Sequence, residues 1–171
     1  MRVVINDANI LIDLIHLDLA DLFFSVDGLE LKTTDFVFEE LHEEQKNVIG
    51  HFIHHQSLEI IESQDDDLIK IYQMHSSASG LSIEDCSVWY HAKKNQGILL
   101  TGDGKLRKHS SADGVEVRGI LFVFDYLLKW DKLTFEVAIL KLNQLYLLND
   151  RLPIDAMKQR LECWARSEHI S

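Results

Sequence analysis

The chain has 171 residues, of which 46% are hydrophobic, and its formal net charge is −11. This length and composition predict one globular domain with a substantial core, and they exclude an intrinsically disordered chain. The acidic balance argues against a protein that coats nucleic acid through a broad basic surface. It does not exclude an enzyme whose site is built from carboxylates.

The first half of the chain alternates between strand and helix patterns. Residues 2–6 are an apolar, β-branched run that predicts a buried strand, and residues 9–15 have the pattern of a buried helix. A second strand is predicted at 29–33, and Asp35 is in position to cap the helix that follows. A helix and then a strand are predicted within 51–61.

The spacing of Ser82 and Asp85 is typical of a capping box, which predicts a helix that continues to about residue 95. Residues 98–101 are the clearest buried strand of the sequence, and a short strand is predicted at 115–118. Strands that alternate with helices predict an α/β fold, in which a mainly parallel central sheet is covered by helices on both faces.

The pattern changes after residue 119, where three helices are predicted, at 122–129, 135–148 and 154–166. We therefore expect residues 1–125 to form the α/β domain and residues 126–171 to form a helical extension packed on it. The apolar series of the second helix is expected to lie in the core rather than on a docking surface; it consists of Leu140, Leu142, Leu145 and Leu148.

The apolar segments are too short to cross a membrane, and the N-terminus reaches Asp7 before the core of a signal peptide could form. Two cysteines, Cys86 and Cys163, stand far apart without a CxxC motif. We expect them to be buried thiols rather than a disulfide or metal ligands. These features predict a cytoplasmic protein with no membrane partner.

Four carboxylates stand where predicted strands end or predicted helices begin, and they are Asp7, Glu40, Asp85 and Asp103. Asp7 and Asp103 each follow a predicted strand, and ligands of an open parallel sheet bind beyond the carboxyl ends of its strands. The helices that carry Glu40 and Asp85 can face the same edge. An oxygen-only set of ligands suits Mg²⁺ or Mn²⁺, as one ion or as two.

Each of these carboxylates also has a purely structural interpretation. Asp85 fits a helix cap, Asp103 lies in a glycine turn, and Glu40 belongs to an acidic run typical of a solvated helix face. Asp7 is the hardest to explain in this way. An acid at the end of an apolar strand is costly unless it is paired or bound to metal.

Four segments in this order resemble the motifs of the PIN-domain family (named for the PilT N-terminus): residues 3–14, 38–41, 81–85 and 99–106. Residues 117–121 resemble the final strand of that family, so the likeness covers about residues 1–125. The resemblance implies a three-layer PIN-like fold with extra C-terminal helices. It also implies that the four carboxylates are metal ligands, and that Asn9 and Thr101 orient carboxylates or bind water. Glu39 is an alternative to Glu40, and Glu84 to Asp85.

The resemblance implies a metal-dependent endoribonuclease that hydrolyses phosphodiester bonds. Many bacterial members of the family are toxins silenced by an antitoxin protein, and homodimers are common among them. The alternative is a PIN fold that binds nucleic acid or a protein without turnover. Three basic residues follow Asp103 and are expected to contact the substrate backbone, unless they form a solvated surface: Lys105, Arg107 and Lys108. A phosphatase would need an Asp where Asn9 stands.

Overall fold

The structure, a computed structural model, describes residues 1–170. Its centre is a five-stranded sheet whose strands are Arg2–Asn6 (β1), Leu29–Thr34 (β2), Glu59–Ile61 (β3), Ile98–Leu100 (β4) and Glu116–Arg118 (β5). The strand order is β3-β2-β1-β4-β5, and every neighbouring pair is parallel. The predicted α/β class with a parallel central sheet is confirmed.

Ten helices cover and connect these strands within residues 1–170. They are Ala8–His16 (α1), Ala20–Phe23 (α2), Asp35–Glu40 (α3), Glu43–His54 (α4), Asp65–Ser77 (α5), Ile83–Lys94 (α6), Gly104–Ala112 (α7), Ile120–Lys129 (α8), Phe135–Leu148 (α9) and Ile154–Ala165 (α10). None of these helices has the length and the apolar character that a membrane-spanning segment needs.

The middle of the sheet is apolar on both faces. Val4 and Ile5 of β1 are fully buried, and Val4 is in register with Leu31 on one side and Ile98 on the other. A strand covered on both faces reads as a continuous hydrophobic run, which explains why β1 and β4 were the strands easiest to predict. Because all strands are parallel, their carboxyl ends meet along one edge.

Local capping positions two helices at that edge. The predicted capping box of α6 is present, since Ser82 Oγ accepts from the amide of Asp85 and the carboxylate of Asp85 accepts from the amide of Ser82. The cap of α3 is Thr34 rather than Asp35, because the Thr34 hydroxyl accepts from the amide of Val37 at 3.2 Å. Thr34 still has extended backbone angles, as N-cap residues do.

The three C-terminal helices pack onto the rest of the molecule. Trp164 of α10 is 1% exposed and lies against Phe124 of α8, with ring centroids 5.8 Å apart. Lys141 of α9 donates to the carbonyl oxygen of Leu17, which follows α1. These contacts join the end of the chain to its beginning.

Two expectations for individual side chains were only partly correct. In the apolar series of α9, Leu142 and Leu145 are buried, but Leu140 and Leu148 are 59% and 64% exposed. Leu140 and Leu142 are two residues apart and therefore lie on nearly opposite sides of the helix, so one neighbouring surface cannot cover the whole series. Cys86 is buried as expected, whereas Cys163 is only partly buried.

Candidate functional site

Asp7 lies at the carboxyl edge of the sheet, between two central strands. Its amide donates to the carbonyl of Leu100 at 3.0 Å, which extends the pairing of β1 with β4 by one residue. The residue is 3% exposed, and its carboxylate accepts from the amide of Ala8 at 2.8 Å. Asp7 therefore caps α1 while its charge is held away from water.

Polar groups from α1 and from the segment after β4 hold the other oxygen of this carboxylate. Asp7 Oδ2 accepts from Thr101 Oγ1 and from Asn9 Nδ2, both at 2.7 Å. Thr101 Oγ1 in turn accepts from the amide of Asp103 at 3.0 Å, and Asn9 Oδ1 accepts from the amide of Gly102 at 2.8 Å. The network ties β1 to the turn after β4, and both Asn9 and Thr101 donate a hydrogen bond to Asp7.

The two helix-cap carboxylates each use one oxygen for the backbone. Asp103 Oδ1 accepts from the amide of Leu106 at 2.8 Å, and Asp85 Oδ2 accepts from the amide of Ser82 at 2.9 Å. Their other oxygens take no hydrogen bond from residues 1–170. The structural and the metal-binding interpretations of these residues are thus compatible, because capping occupies only one oxygen of each.

Electrostatic repulsion shows that the carboxylates lie near one another. Burial raises the pKa of Asp7 from 3.8 to about 6, and repulsion from Asp85 and Glu40 contributes to this rise. Hydrogen bonds from Thr101 and from the amide of Ala8 act in the opposite direction and lower this pKa. Burial also raises the pKa of Asp85, with repulsion from Asp103 as a further cause. A neighbouring thiol is affected as well. Burial, and then the negative charge of Asp85, raise the pKa of Cys86 to about 11. Repulsion thus links Asp7 with Asp85 and Glu40, and it links Asp85 with Asp103.

Three side chains must lie closer together to bind one metal ion directly than they must to repel one another. In the part of the chain that the structure describes, no three His, Cys, Asp or Glu side chains are grouped so that they could hold a metal ion. Mg²⁺, however, usually takes one or two protein carboxylates and keeps several waters. The oxygen-only donor set and its uncompensated charge fit an ion held in this way.

An acidic cleft of about 320 Å³ adjoins Glu40, and its lining residues are Asp35, Phe36, Glu39, Glu40 and Glu84. Partial burial, and then repulsion from Glu84 and Asp85, raise the pKa of Glu40. Both of the alternative residues, Glu39 and Glu84, therefore lie beside Glu40. Asp35, predicted only as a helix cap, also lines this cleft and follows β2 directly, as Asp7 follows β1. Both of its oxygens accept hydrogen bonds from Ser63.

The three basic residues after Asp103 do not share one environment. The guanidinium of Arg107 donates to the carbonyl of Thr101 at 3.1 Å, so Arg107 lies next to the network around Asp7. Lys105 Nζ instead lies 3.1 Å from the position that a Cβ at Gly80 would take, and Lys108 is exposed. Of the three, the structure places Arg107 in direct contact with Thr101.

The fold and the carboxylate cluster define a class of α/β proteins with an acidic site at the carboxyl edge of a parallel sheet. A sequence model of the family described as DUF3368: PIN domain matches residues 3–166. The chain belongs to the PIN-domain family, as the four motifs predicted.

Solved structures that are similar to this chain include PAE2754 and VapBC2. PAE2754 from Pyrobaculum aerophilum is 16% identical, with a TM-score of 0.51 over 70% of this chain and 92% of that chain. VapBC2 from Rickettsia felis, solved bound to a DNA fragment from its promoter, is 13% identical, with a TM-score of 0.46 over 68% of this chain and 98% of that chain. The likeness to PAE2754 shows that the fold is shared. A search of curated proteins returned no match.

Proposed function

We propose that this protein is an endoribonuclease that hydrolyses phosphodiester bonds of RNA and depends on Mg²⁺ or Mn²⁺. The observation that supports this best is the state of Asp7. Its carboxylate is buried, it is repelled by Asp85 and Glu40, and no Lys, Arg or His within residues 1–170 forms an ion pair with it. A charge in that position is costly until a cation arrives.

Each residue of the cluster has a defined part in this proposal. Thr101 and Asn9 hold Asp7 Oδ2 in one orientation, while Asp85 and Asp103 each present the oxygen that capping leaves over. When bound to these carboxylates, a divalent cation supplies positive charge that polarises the phosphoryl group and makes water more acidic. The carboxylate of Glu40 accepts no hydrogen bond within the described residues and lines the acidic cleft, so it would be free to accept the proton of the attacking water.

Substrate and partners follow from the family resemblance and from charge. Lys105, Arg107 and Lys108 are proposed to contact the phosphate backbone, and RNA is proposed as the substrate. A toxin neutralised by an antitoxin, acting as a homodimer, is the cellular role that the resemblance implies. Growth arrest on expression of the wild type, absent for Asp7→Asn, would support that role, and unchanged growth would contradict it.

Cleavage of an RNA pool tests the enzymatic proposal. We expect the wild type to cut single-stranded RNA with Mn²⁺ or Mg²⁺ and to be silent in EDTA, and we expect Asp85→Asn to be silent in both. The matched control is Asp66→Asn, which removes an exposed acid from α5, outside the cluster. If the wild type is inactive with either metal, and calorimetry finds no metal bound to it, the non-catalytic binding module becomes the better proposal.

Thr101→Val tests the orientation of Asp7. The substitution keeps the shape of the side chain but removes the hydroxyl that donates to Asp7 and accepts from Asp103. We expect cleavage to fall about 10- to 100-fold, as for other groups that orient metal-binding side chains. Thr33→Val is the matched control, because Thr33 is equally buried and donates to the carbonyl of Asn6 instead. Equal losses in both variants would mean that Thr101 acts on stability and not on Asp7.

A further inference from the structure

A second cavity lies beside the carboxylate cluster, where β5 leads into α8. It has a volume of about 210 Å³, and its lining includes three arginines from three different elements, which are Arg107, Arg118 and Arg160. Leu100 of β4 is in register with Arg118 of β5, and the amide of Thr101 donates to the carbonyl of Arg118 at 3.0 Å. This arginine cavity is therefore at the same edge of the sheet as Asp7, on the far side of Thr101.

Arg107 is held rigidly but is not neutralised. Its guanidinium donates to the carbonyl oxygens of Thr101 and Val117, at 3.1 and 3.4 Å, and no carboxylate within residues 1–170 pairs with it. Carbonyl acceptors fix the orientation of a cation without cancelling its charge. Nη2 of Arg107 is also 3.2 Å from the position of a Cβ at residue 119, so Gly119 leaves the space that the guanidinium occupies.

The charges around the cavity do not cancel. Arg118 pairs with Glu116, but the carboxylate of Glu116 also binds Arg2, which lies outside the cavity, so Arg118 is only partly compensated. Asp125 also lines the cavity, but Arg160 binds both of its oxygens, at 2.6 to 3.1 Å. With Arg107 unpaired, the cavity carries a local positive surplus in a chain whose net charge is −11. Burial, and then repulsion from Arg118, lower the pKa of Arg107, as expected for cations that lack a counter-ion.

We propose that the arginine cavity binds one backbone phosphate of the RNA substrate, close to the phosphate that is cleaved at the carboxylate cluster. The inference rests on the proposed nuclease function and names a subsite for it. A planar guanidinium pairs with two oxygens of a phosphate, and phosphate is the anion that arginine recognises best in nucleic acids. The first turn of α8 contains no acidic residue, and Gly119 offers no side chain to its amides, so the backbone there also favours an anion.

The position of the cavity explains why a polynucleotide is the ligand rather than free phosphate. Neighbouring strands are about 4.8 Å apart, so the end of β5 is about 10 Å from the end of β1, where Asp7 lies. An RNA strand with its scissile phosphate at Asp7 would bring a further phosphate past Arg107 and Arg118. The arginines would then fix the register of the strand, whereas the carboxylates carry out the reaction.

The test measures binding of a fluorescent ten-nucleotide oligouridylate by anisotropy, in EDTA and on an Asp7→Asn background, so that no cleavage interferes. Arg118→Gln is the informative variant, because Arg118 is exposed and makes no bond that the core requires. We expect binding to weaken about five- to tenfold, and the slope of log Kd against log salt to decrease by about 0.7, the value for one phosphate of a single strand. Arg166→Gln is the matched control, since Arg166 also pairs with a glutamate two residues away on the surface.

A set of oligouridylates with one neutral methylphosphonate linkage makes the test specific. At one linkage position we expect the methylphosphonate to weaken binding to the protein that retains Arg118. At that position it should cause no further loss of affinity in Arg118→Gln. Equal losses in both proteins at every linkage position would overturn the proposal. It would also be overturned if inorganic phosphate displaced the oligomer at a concentration equal to that of the phosphates in the oligomer. A third outcome is that the wild type never cleaves RNA but the effect of the methylphosphonate still depends on Arg118. The phosphate subsite would then stand, and the nuclease proposal would be contradicted instead.

Discussion

Replacing Asp7 by Asn is expected to abolish RNA cleavage and, at neutral pH, to make the protein more stable. Loss of the central carboxylate removes the negative charge that holds the cation, so activity should fall about 100-fold or more. Stability should move in the opposite direction, because the folded protein keeps this carboxylate 3% exposed and close to Asp85 and Glu40. A loss of function accompanied by a gain in stability is the signature of a strained binding site.

The pH dependence of this gain follows from the pKa of Asp7. The pKa rises from 3.8 to about 6 in the folded protein, so the folded state binds the proton more tightly than the unfolded state does. Protonation of Asp7 therefore makes its full contribution to the free energy of unfolding below pH 3.8, and this contribution is lost as the pH rises through 6. A shift of about two pKa units corresponds to about 3 kcal/mol, which is an upper limit because the amide of Asn forms poorer hydrogen bonds with Asn9 and Thr101.

Urea unfolding in EDTA at pH 4.5 and pH 7.5 measures this effect. We expect the wild type to lose more free energy of unfolding than Asp7→Asn does between these two pH values. Asp66→Asn, with an exposed carboxylate, should follow the wild type. Added Mn²⁺ should raise the Tm of the wild type and leave that of Asp7→Asn unchanged, because an ion that binds only the folded state stabilises it. A variant that is less stable than the wild type at pH 7.5 would show that Asp7 is a structural cap and not a strained ligand.

The second large effect is expected at Trp164, which tests whether the C-terminal helices belong to the same cooperative unit as the sheet. Trp164 of α10 is 1% exposed and packs on Phe124 of α8, which is fully buried. Trp164→Ala removes a large aromatic side chain and leaves a cavity, so we expect a loss of about 3–5 kcal/mol in the free energy of unfolding. We also expect one unfolding transition, seen equally by far-UV and near-UV circular dichroism.

Trp130→Ala is the matched control, because Trp130 is 55% exposed at the end of α8. Its replacement should change the free energy of unfolding by about 0.5 kcal/mol or less, as substitutions at the surface usually do. Two separate transitions in Trp164→Ala, or a loss no larger than that of Trp130→Ala, would mean that residues 126–171 fold independently of the α/β domain. A single, strongly weakened transition would support the proposed packing of the extension on that domain.

Local patterns were sufficient to predict most elements of this chain. The buried strands β1 and β4 are continuous apolar runs, and the capping box of Ser82 and Asp85 marks the start of α6 without reference to any distant residue. The same kind of local information placed Asp7 at a strand end. It failed by one residue at α3, where Thr34 and Asp35 are both good caps and the hydroxyl of Thr34 accepts from the amide of Val37.

Distances between segments were not accessible from such patterns. The sequence alone does not show that the Asp103 amide bonds to the hydroxyl that also holds Asp7, or that Arg107 reaches the carbonyl of Thr101. The three basic residues after Asp103 share one predicted role, and only the fold shows that Arg107 contacts Thr101 while Lys105 and Lys108 are exposed. Arg160 has no role that the sequence predicts, because the arginine cavity exists only once β5, α7 and α10 are packed together.

The sequence by itself determined the family and the succession of most strands and helices along the chain, and it predicted candidate acids at the strand ends. These depend on short-range periodicity and on motifs. The tertiary structure decided which charges repel each other and which are compensated. Burial and electrostatic energy depend on three-dimensional distance and on exclusion of water, and neither is a property of neighbouring positions in the chain. That is why Asp7 was recognised from the sequence as a candidate ligand, but its raised pKa became evident only in the folded protein.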